Sequence, residues 1–151
     1  MHLCDVNTWL ALTLGPHVHH SAARRWLETV DDPASVLFCR ATQQSYLRLL
    51  TTRSVLAPYG FEPLTNRRAW AAFDALFGDD RISFRRDEPE RLDSFWREYS
   101  SRASASPRVW MDAYLAAFAR AAGCTLVTLD AGFRQFAGLD VVVLGAGEAR
   151  S

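Results

Sequence analysis

The chain contains no lysine. Its 17 basic residues are all arginines, and 17 acidic residues balance them to a formal net charge of zero. P-loop NTPases, response-regulator receivers and haloacid-dehalogenase-like phosphatases steady phosphate charge with a lysine, so its absence excludes these classes. A GxxxxGK or GxGxxG phosphate-binding loop is also missing. Arginine suits phosphate recognition, but an all-arginine chain is also typical of a GC-rich genome, and zero net charge does not require a nucleic-acid partner.

Cysteine is scarce and odd in number. Cys4, Cys39 and Cys124 lie in or beside apolar segments, where free cysteine packs as a small hydrophobic residue. No positively charged start followed by an apolar run occurs, and the longest apolar stretches fall far short of a membrane span. We therefore expect a reducing compartment, a cytoplasmic protein and no membrane partner.

The pattern of the chain is that of one α/β domain. A length of 151 residues with 49% hydrophobic content supports a single core, and we expect a domain over residues 1–144 and a tail over 145–151. Strand-like and helix-like segments alternate with little linker between them. Strands are predicted at 2–6, 35–39, 81–84, 125–129 and 141–144, and helices at 9–13, 21–30, 42–51, 65–77, 89–100 and 109–122.

Three aspartates occupy positions that suit a metal site. Asp5 and Asp130 close predicted strands, and open α/β sheets bind ligands at the carboxyl ends of their strands. Asp112 lies in the stretch 109–122, two turns beyond a predicted helix start at 106–107, so helix capping explains it poorly. Hard carboxylate ligands favour Mg²⁺ or Mn²⁺ over zinc.

Each aspartate also has a structural interpretation when it is considered alone. Asp5 and Asp130 are suited to cap the elements that follow them, and Asp112 is suited to solvent exposure or to an ion pair. The ordered set of all three favours the metal site.

Five segments carry a resemblance to a known family: LCDVN at 3–7, FCRATQ at 38–43, LRLLT at 47–51, DAYLAA at 112–117 and TLDAGF at 128–133. Together they resemble the PIN-domain ribonucleases of the VapC toxin type, and the match covers nearly the whole chain in the expected order. The resemblance implies a three-layer α/β/α sandwich whose five-stranded parallel sheet has the order 3-2-1-4-5. Strands one and four would then be neighbours, which would bring Asp5 and Asp130 together.

The resemblance also implies an activity. It predicts a Mg²⁺-dependent endoribonuclease, with Mn²⁺ as a substitute, that hydrolyses phosphodiester bonds in RNA such as tRNA. Asp5, Asp112 and Asp130 would hold the metal and carry catalysis, and Asn7 and Thr128 would orient these acids by hydrogen bonding. The implied partners are a cognate VapB-like antitoxin and a second copy of the chain in a homodimer.

One departure from the family pattern affects the metal site. The family usually has a glutamate on the helix after strand two, where residues 42–45 read TQQS and offer no carboxylate. The site could therefore hold one metal ion instead of two. Asp87 or Glu88, just after strand three, could supply the missing carboxylate. However, strand three lies two strand spacings of about 4.8 Å each from strand one, which argues against this compensation. The alternative function is a PIN-like RNA- or protein-binding module with a decayed site. The three remaining acids argue against decay, because like charges repel without a cation.

Overall fold

Five short parallel strands form the centre of the fold in the order β3-β2-β1-β4-β5. In the computed structural model, which describes residues 1–145, the strands are His2–Cys4 (β1), Val36–Phe38 (β2), Ile82–Phe84 (β3), Thr125–Thr128 (β4) and Val141–Val143 (β5). Leu3 pairs with Leu37 on one side and with Leu126 on the other, so β1 is the central strand. The predicted α/β sandwich and strand order are confirmed. Of the predicted tail, all but Gly145 lies outside the described residues.

Seven helices surround the sheet in this part of the chain, and none of them is long and apolar enough to cross a membrane. They are Val6–Thr13 (α1), His20–Glu28 (α2), Arg40–Leu50 (α3), Arg53–Leu56 (α4), Asn66–Leu76 (α5), Leu92–Ser100 (α6) and Val109–Ala122 (α7). Single 3₁₀ turns occupy Ala57–Tyr59 and Ala131–Gln135. Helices α1 to α5 pack on one face of the sheet, and α6 and α7 pack on the other.

Each face of the sheet has its own hydrophobic core. On the first face the buried rings of Trp9 and Phe38 stack with centroids 3.8 Å apart, and truncating such a buried phenylalanine to alanine typically costs about 3–5 kcal/mol. On the second face α7 turns fully buried alanines toward the core, namely Ala113, Ala116 and Ala117. Their small side chains let α7 lie close to the sheet, and this positions the beginning of α7 at the carboxyl edge of the strands.

Two predicted element boundaries were wrong because side chains cap the helices earlier than expected. The first strand ends at Cys4 instead of residue 6, because Asp5 Oδ1 accepts a hydrogen bond from the Val6 N–H at 2.6 Å and starts α1 at once. Helix α3 begins at Arg40 instead of residue 42, because Thr42 Oγ1 accepts the Cys39 N–H at 3.0 Å.

Other differences follow from the backbone. Helix α6 begins at Leu92 instead of residue 89, because Arg91 has a left-handed φ of 68° that no helix accommodates. Helix α2 covers His20–Glu28, and thus begins one residue before and ends two residues before the predicted 21–30. The short α4 was not predicted, since its Arg53–Leu56 sequence has too few residues to show a helical period. At the other end of α7, Gly123 adopts a left-handed φ of 66° and stops the helix as expected.

Candidate metal centre

Asp5 and Asp130 are brought together by the pairing of β1 with β4, which aligns Cys4 with Val127. The fully buried Thr128 links the two acids. Its hydroxyl donates to Asp5 Oδ2 at 3.0 Å and accepts a hydrogen bond from the Asp130 backbone N–H, also at 3.0 Å. One hydroxyl group therefore fixes the segments that carry both carboxylates.

Asp5 both caps the helix that follows β1 and places its carboxylate at the edge of the sheet. Its backbone N–H donates to the Val127 carbonyl at 2.9 Å, so the residue remains attached to the sheet after β1 ends. Its carboxylate is only 6% exposed, with Oδ1 bound to the Val6 N–H and Oδ2 to Thr128. The capping interpretation is therefore correct for Asp5, and it is compatible with a second role at the edge of the sheet.

Asp130 caps the 3₁₀ turn that follows β4. Its Oδ1 accepts a hydrogen bond from the Gly132 N–H at 2.7 Å, while the residue as a whole is exposed. Gly132 is required for this arrangement, since a Cβ atom there would lie 2.9 Å from the same Oδ1. Within residues 1–145, Asp130 Oδ2 accepts no hydrogen bond and is free to bind a ligand.

Asp112 reaches the same edge from a helix. Because α7 begins at Val109 instead of 106–107, Asp112 lies in the first helical turn and not two turns from the helix start, which corrects the prediction. The positive end of the helix dipole favours a carboxylate there. The side chain is half-buried and accepts no hydrogen bond from the described residues.

Electrostatics place the three acids in one region. Burial raises the pKa of Asp5 to about 6 against the hydrogen bonds from Thr128 and Val6, and the charges of Asp112 and Asp130 raise it further. Burial also raises the pKa of Asp112, and repulsion by Asp130 adds to this effect. The neighbouring acids thus destabilise the charged forms of Asp5 and Asp112, which is the condition that a bound cation reverses.

The chemistry of these donors fits a divalent cation. All three acids supply hard oxygen ligands, which suit Mg²⁺ or Mn²⁺. Over residues 1–145, no three His, Cys, Asp or Glu side chains form a group that could hold a metal ion as they stand, and this includes the three aspartates. Asp5, Asp112 and Asp130 are instead linked by the Thr128 hydrogen bonds and by the repulsion between their charges.

A groove of about 350 Å³ runs beside Asp112. Its lining includes two arginines, Arg102 and Arg108, together with Gln135. Arg102 donates a hydrogen bond from Nη2 to the Gln135 side chain. Positive side chains thus border Asp112 on the side of the 3₁₀ turn that follows β4, where a negatively charged substrate would be attracted.

The remaining predicted residues lie differently. Asn7 is exposed on α1 and makes no hydrogen bond to the three acids within the described residues. Glu88 Oε1 accepts a hydrogen bond from the Tyr114 hydroxyl at 2.8 Å, and neither Glu88 nor Asp87 affects the pKa of Asp5 or Asp112. On the helix after β2, Gln43 is buried and accepts a hydrogen bond from Arg40, a pairing that the sequence pattern did not indicate.

A second, apolar groove of about 500 Å³ lies on the other side of the start of α7. It is lined mainly by aromatic and aliphatic side chains, which are Ala41, Trp96, Pro107, Trp110, Met111 and Tyr114, with Arg108 at its border. Trp110 is 56% exposed and Met111 is 50% exposed. Large apolar residues exposed together in this way mark an interaction surface.

The sheet order and the placement of the acids define a PIN-like fold, and the PIN domain family model matches residues 3–139. Ribonuclease VapC41 from Mycobacterium tuberculosis is 56% identical over 144 residues, which cover 95% of this chain and 99% of that protein. The chain therefore belongs to the PIN-domain family and, within it, to the VapC-type ribonucleases.

Solved structures share the fold at low sequence identity. VapC20 of Mycobacterium tuberculosis, a sarcin-ricin loop cleaving toxin, has a TM-score of 0.64 at 20% identity, covering 92% of this chain and 96% of its own. VapBC2 of Rickettsia felis, bound to a DNA fragment from its promoter, contains a chain with a TM-score of 0.64 at 11% identity, covering 95% of this chain and 98% of its own.

Proposed function

We propose that this chain is a metal-dependent endoribonuclease toxin that hydrolyses phosphodiester bonds in RNA and is neutralised by a cognate VapB-like antitoxin. One observation carries the proposal: Thr128 bridges Asp5 and the Asp130 backbone, and Asp112 lies within electrostatic range of both carboxylates. The 56% identity to a protein named as a ribonuclease supports the reaction class.

The cation that fits the three acids is Mg²⁺, with Mn²⁺ as its substitute. When bound, such an ion supplies acidification of a water molecule and neutralisation of the charge that develops on the phosphate. Asp5, Asp112 and Asp130 would hold it, directly or through water. Thr128 would fix the orientation of the buried Asp5 carboxylate, and Asn7 is proposed to act on the acids from α1 only when substrate or metal is present.

The substrate is proposed to be a folded RNA with an accessible loop, such as a tRNA. The relevant structural neighbour, VapC20, is a toxin that cleaves the sarcin-ricin loop. In this chain Arg102 and Arg108 line the groove beside Asp112. Their guanidinium groups suit bidentate contacts with backbone phosphates on either side of the cleaved bond.

The direct test is cleavage of total cellular RNA by the purified chain, with Mg²⁺, with Mn²⁺ and with EDTA. Asp112→Asn is compared with Asp93→Asn, since Asp93 is an exposed acid in the first turn of α6 and provides a matched control. We expect discrete fragments from wild type and Asp93→Asn only when metal is present, and none from Asp112→Asn. Cleavage by a well-folded Asp112→Asn variant at the wild-type rate would overturn the assignment, and end-mapping of the fragments would identify the substrate.

The alternative is a binding module with a decayed site. The absence of a carboxylate on α3 favours it, because Gln43 is hydrogen-bonded to Arg40 and does not supply a fourth acid. The two functions differ in their response to metal, since a ligand that binds only the native state raises the unfolding temperature. A higher unfolding temperature at millimolar Mg²⁺ or Mn²⁺ supports the nuclease, and an unchanged one supports the module.

We propose that the chain forms a homodimer through the apolar groove at the start of α7. The groove exposes Trp110 and Met111 and carries little charge, as a self-complementary interface requires. Trp110→Gln is expected to yield a monomer by light scattering. Trp70→Gln is the control, because the Trp70 indole on α5 is 48% exposed, and this variant should stay dimeric. If both variants have the mass of a dimer, the interface lies elsewhere.

Antitoxin neutralisation and a cytoplasmic location complete the proposal. The structural neighbour from Rickettsia felis is a toxin-antitoxin complex, which supports a protein partner of the same kind. The three cysteines of this chain are all free and buried, as expected of a protein that works in a reducing compartment.

A further inference from the structure

We propose that Arg40 and Arg86 form a second phosphate-binding site, which holds the backbone of the RNA substrate on the β2–β3 side of the three acids. The inference rests on the proposed function, because its ligand is a phosphate group of RNA. It adds two residues that no feature of the acid cluster requires.

Both guanidinium groups lie over one aromatic ring. The Cζ atom of Arg40 is 4.9 Å from the centroid of Phe84, and that of Arg86 is 5.7 Å from the same centroid. Both distances fall within the range of about 6 Å in which an aromatic ring attracts a cation. Phe84 thus holds two positive charges on a rigid platform at the end of β3.

Two like charges beside one ring repel each other, and an anion that binds both relieves this repulsion. No acidic side chain supplies that anion: within residues 1–145 neither Arg40 nor Arg86 forms an ion pair. Other arginines among residues 1–145 do form ion pairs, as in Arg53–Glu62, Arg81–Asp79 and Arg120–Glu98. The nearby Glu88 side chain is hydrogen-bonded to Tyr114.

Gln43 fixes Arg40 without neutralising it. The Arg40 Nη1 atom donates to Gln43 Oε1 at 2.5 Å, and Gln43 is only 6% exposed. A carboxylate at this position would satisfy the same donor and cancel its charge, whereas the neutral amide leaves the charge available. The remaining N–H groups of Arg40 suit a bidentate contact with phosphate.

The site lies at the same edge of the sheet as the acids. Phe38 at the end of β2 pairs with Phe84 at the end of β3, and Arg40 is the first residue of α3, only two positions after β2. Because neighbouring strands lie about 4.8 Å apart, the ends of β2 and β3 are roughly 5–10 Å from the end of β1, where Asp5 lies. Arg102 and Arg108 line the groove beside Asp112. The proposed site thus adds a second pair of arginines at the edge of the sheet that carries the acids, and a single RNA strand crossing this edge could contact both pairs.

The first measurement is binding of a fluorescein-labelled polyuridine oligonucleotide to the Asp112→Asn chain in EDTA, over a range of salt concentrations. The logarithm of the binding constant falls with the logarithm of salt by a slope of about −0.7 for each phosphate contact to a single strand. We expect Arg40→Gln and Arg86→Gln each to reduce the slope by about 0.7 and to weaken binding. Arg40→Lys, which retains the charge, should keep the slope.

Arg24→Gln is the matched control. Arg24 is exposed on α2 and lies near Asp79, which precedes β3 at the opposite edge of the sheet. The salt slope of the Arg24→Gln variant should therefore equal that of the Asp112→Asn chain without further changes. If Arg40→Gln and Arg86→Gln, with unchanged unfolding temperatures, gave the same slope as Arg24→Gln, the proposal would be wrong. A loss of antitoxin affinity with unchanged RNA slopes would equally overturn it and assign the arginines to a protein partner.

Gln43→Glu separates this site from the metal centre. A glutamate there should pair with Arg40 and reduce the RNA slope as Arg40→Gln does. An unchanged slope with tighter Mn²⁺ binding would instead make position 43 part of the metal site and overturn the role of Gln43. Because binding is measured without cleavage, the two proposals can fail separately. If the arginine variants change the salt slope but the wild-type chain never cleaves RNA, only the nuclease proposal is refuted. If the wild-type chain cleaves RNA but the arginine variants leave the salt slope unchanged, only the phosphate site is refuted.

Discussion

The hydroxyl of Thr128 donates to Oδ2 of Asp5 at 3.0 Å, although the two residues are 123 positions apart in the chain. The hydroxyl oxygen of Thr128 also accepts a hydrogen bond from the Asp130 backbone N–H at 3.0 Å. The distance between the two acidic segments is therefore set by one buried side chain on β4, and not only by the pairing of the strands.

Thr128→Val should weaken the metal centre while keeping the side-chain shape. Asp5 Oδ2 would lose its only hydrogen-bond donor among the described residues, and removal of such an orienting partner typically lowers metal affinity by about 10–100-fold. Calorimetric titration with Mn²⁺ measures this loss. Thr125→Val is the control, because the Thr125 hydroxyl donates to Asp140 at the opposite end of the same strand. Equal Mn²⁺ affinities for the two variants would show that Thr128 does not orient Asp5.

Gly132→Ala should displace the Asp130 carboxylate with little effect on stability. The added Cβ would lie 2.9 Å from Asp130 Oδ1, and a flexible side chain yields to such a contact more easily than the backbone does. We expect Mn²⁺ affinity and RNA cleavage to fall while the unfolding temperature stays within a few degrees. Gly15→Ala, where a Cβ would meet no atom within 4 Å, should change none of these quantities. A Gly132→Ala variant that binds Mn²⁺ like wild type would mean that Asp130 is not a ligand.

Asp5→Asn should stabilise the metal-free protein, and only at neutral or higher pH. Burial raises the pKa of Asp5 from its ordinary value of 3.8 to about 6, so the folded state binds the proton more tightly than the unfolded state does. The buried charge therefore opposes folding fully above about pH 6, and this effect disappears as the pH falls through 6 toward 3.8. A shift of this size corresponds to at most about 3 kcal/mol.

The measurement is the unfolding temperature of wild type and Asp5→Asn in EDTA between pH 4 and pH 8. The difference should favour Asp5→Asn by several degrees at the alkaline end, since about 1 kcal/mol moves the midpoint by roughly 2–4 °C in a chain of this length. It should vanish at the acidic end. A difference that does not depend on pH would contradict the raised pKa.

The fold was predictable because its determinants are local. Runs such as Val36–Phe38 and Thr125–Thr128 are short, apolar and rich in residues that favour strands, so the strand positions followed from composition, and the order came from the resemblance. The boundaries that were missed depend on side-chain hydrogen bonds and single backbone angles. Asp5 starts α1 immediately after β1, and the left-handed Arg91 delays α6.

The site was predictable only in part. Thr128 makes a hydrogen bond to Asp5, while Asn7 makes none to the acids in the described structure. That either residue orients the acids for metal binding stays a prediction. The pairing of Arg40 with Gln43 depends on which face of α3 turns toward Phe84. No spacing rule within the chain specifies that contact.

The alanine face of α7 makes the acid cluster sensitive to changes far from its surface. Asp5 and Asp130 are attached to the sheet, whereas Asp112 is carried by a helix whose distance from the sheet is set by Ala113, Ala116 and Ala117. Enlarging any of these side chains would move one carboxylate away from the other two. A genetic screen for inactive variants would therefore recover buried alanines alongside aspartates, and in the alanine variants that remain folded the defect would be the spacing between two layers.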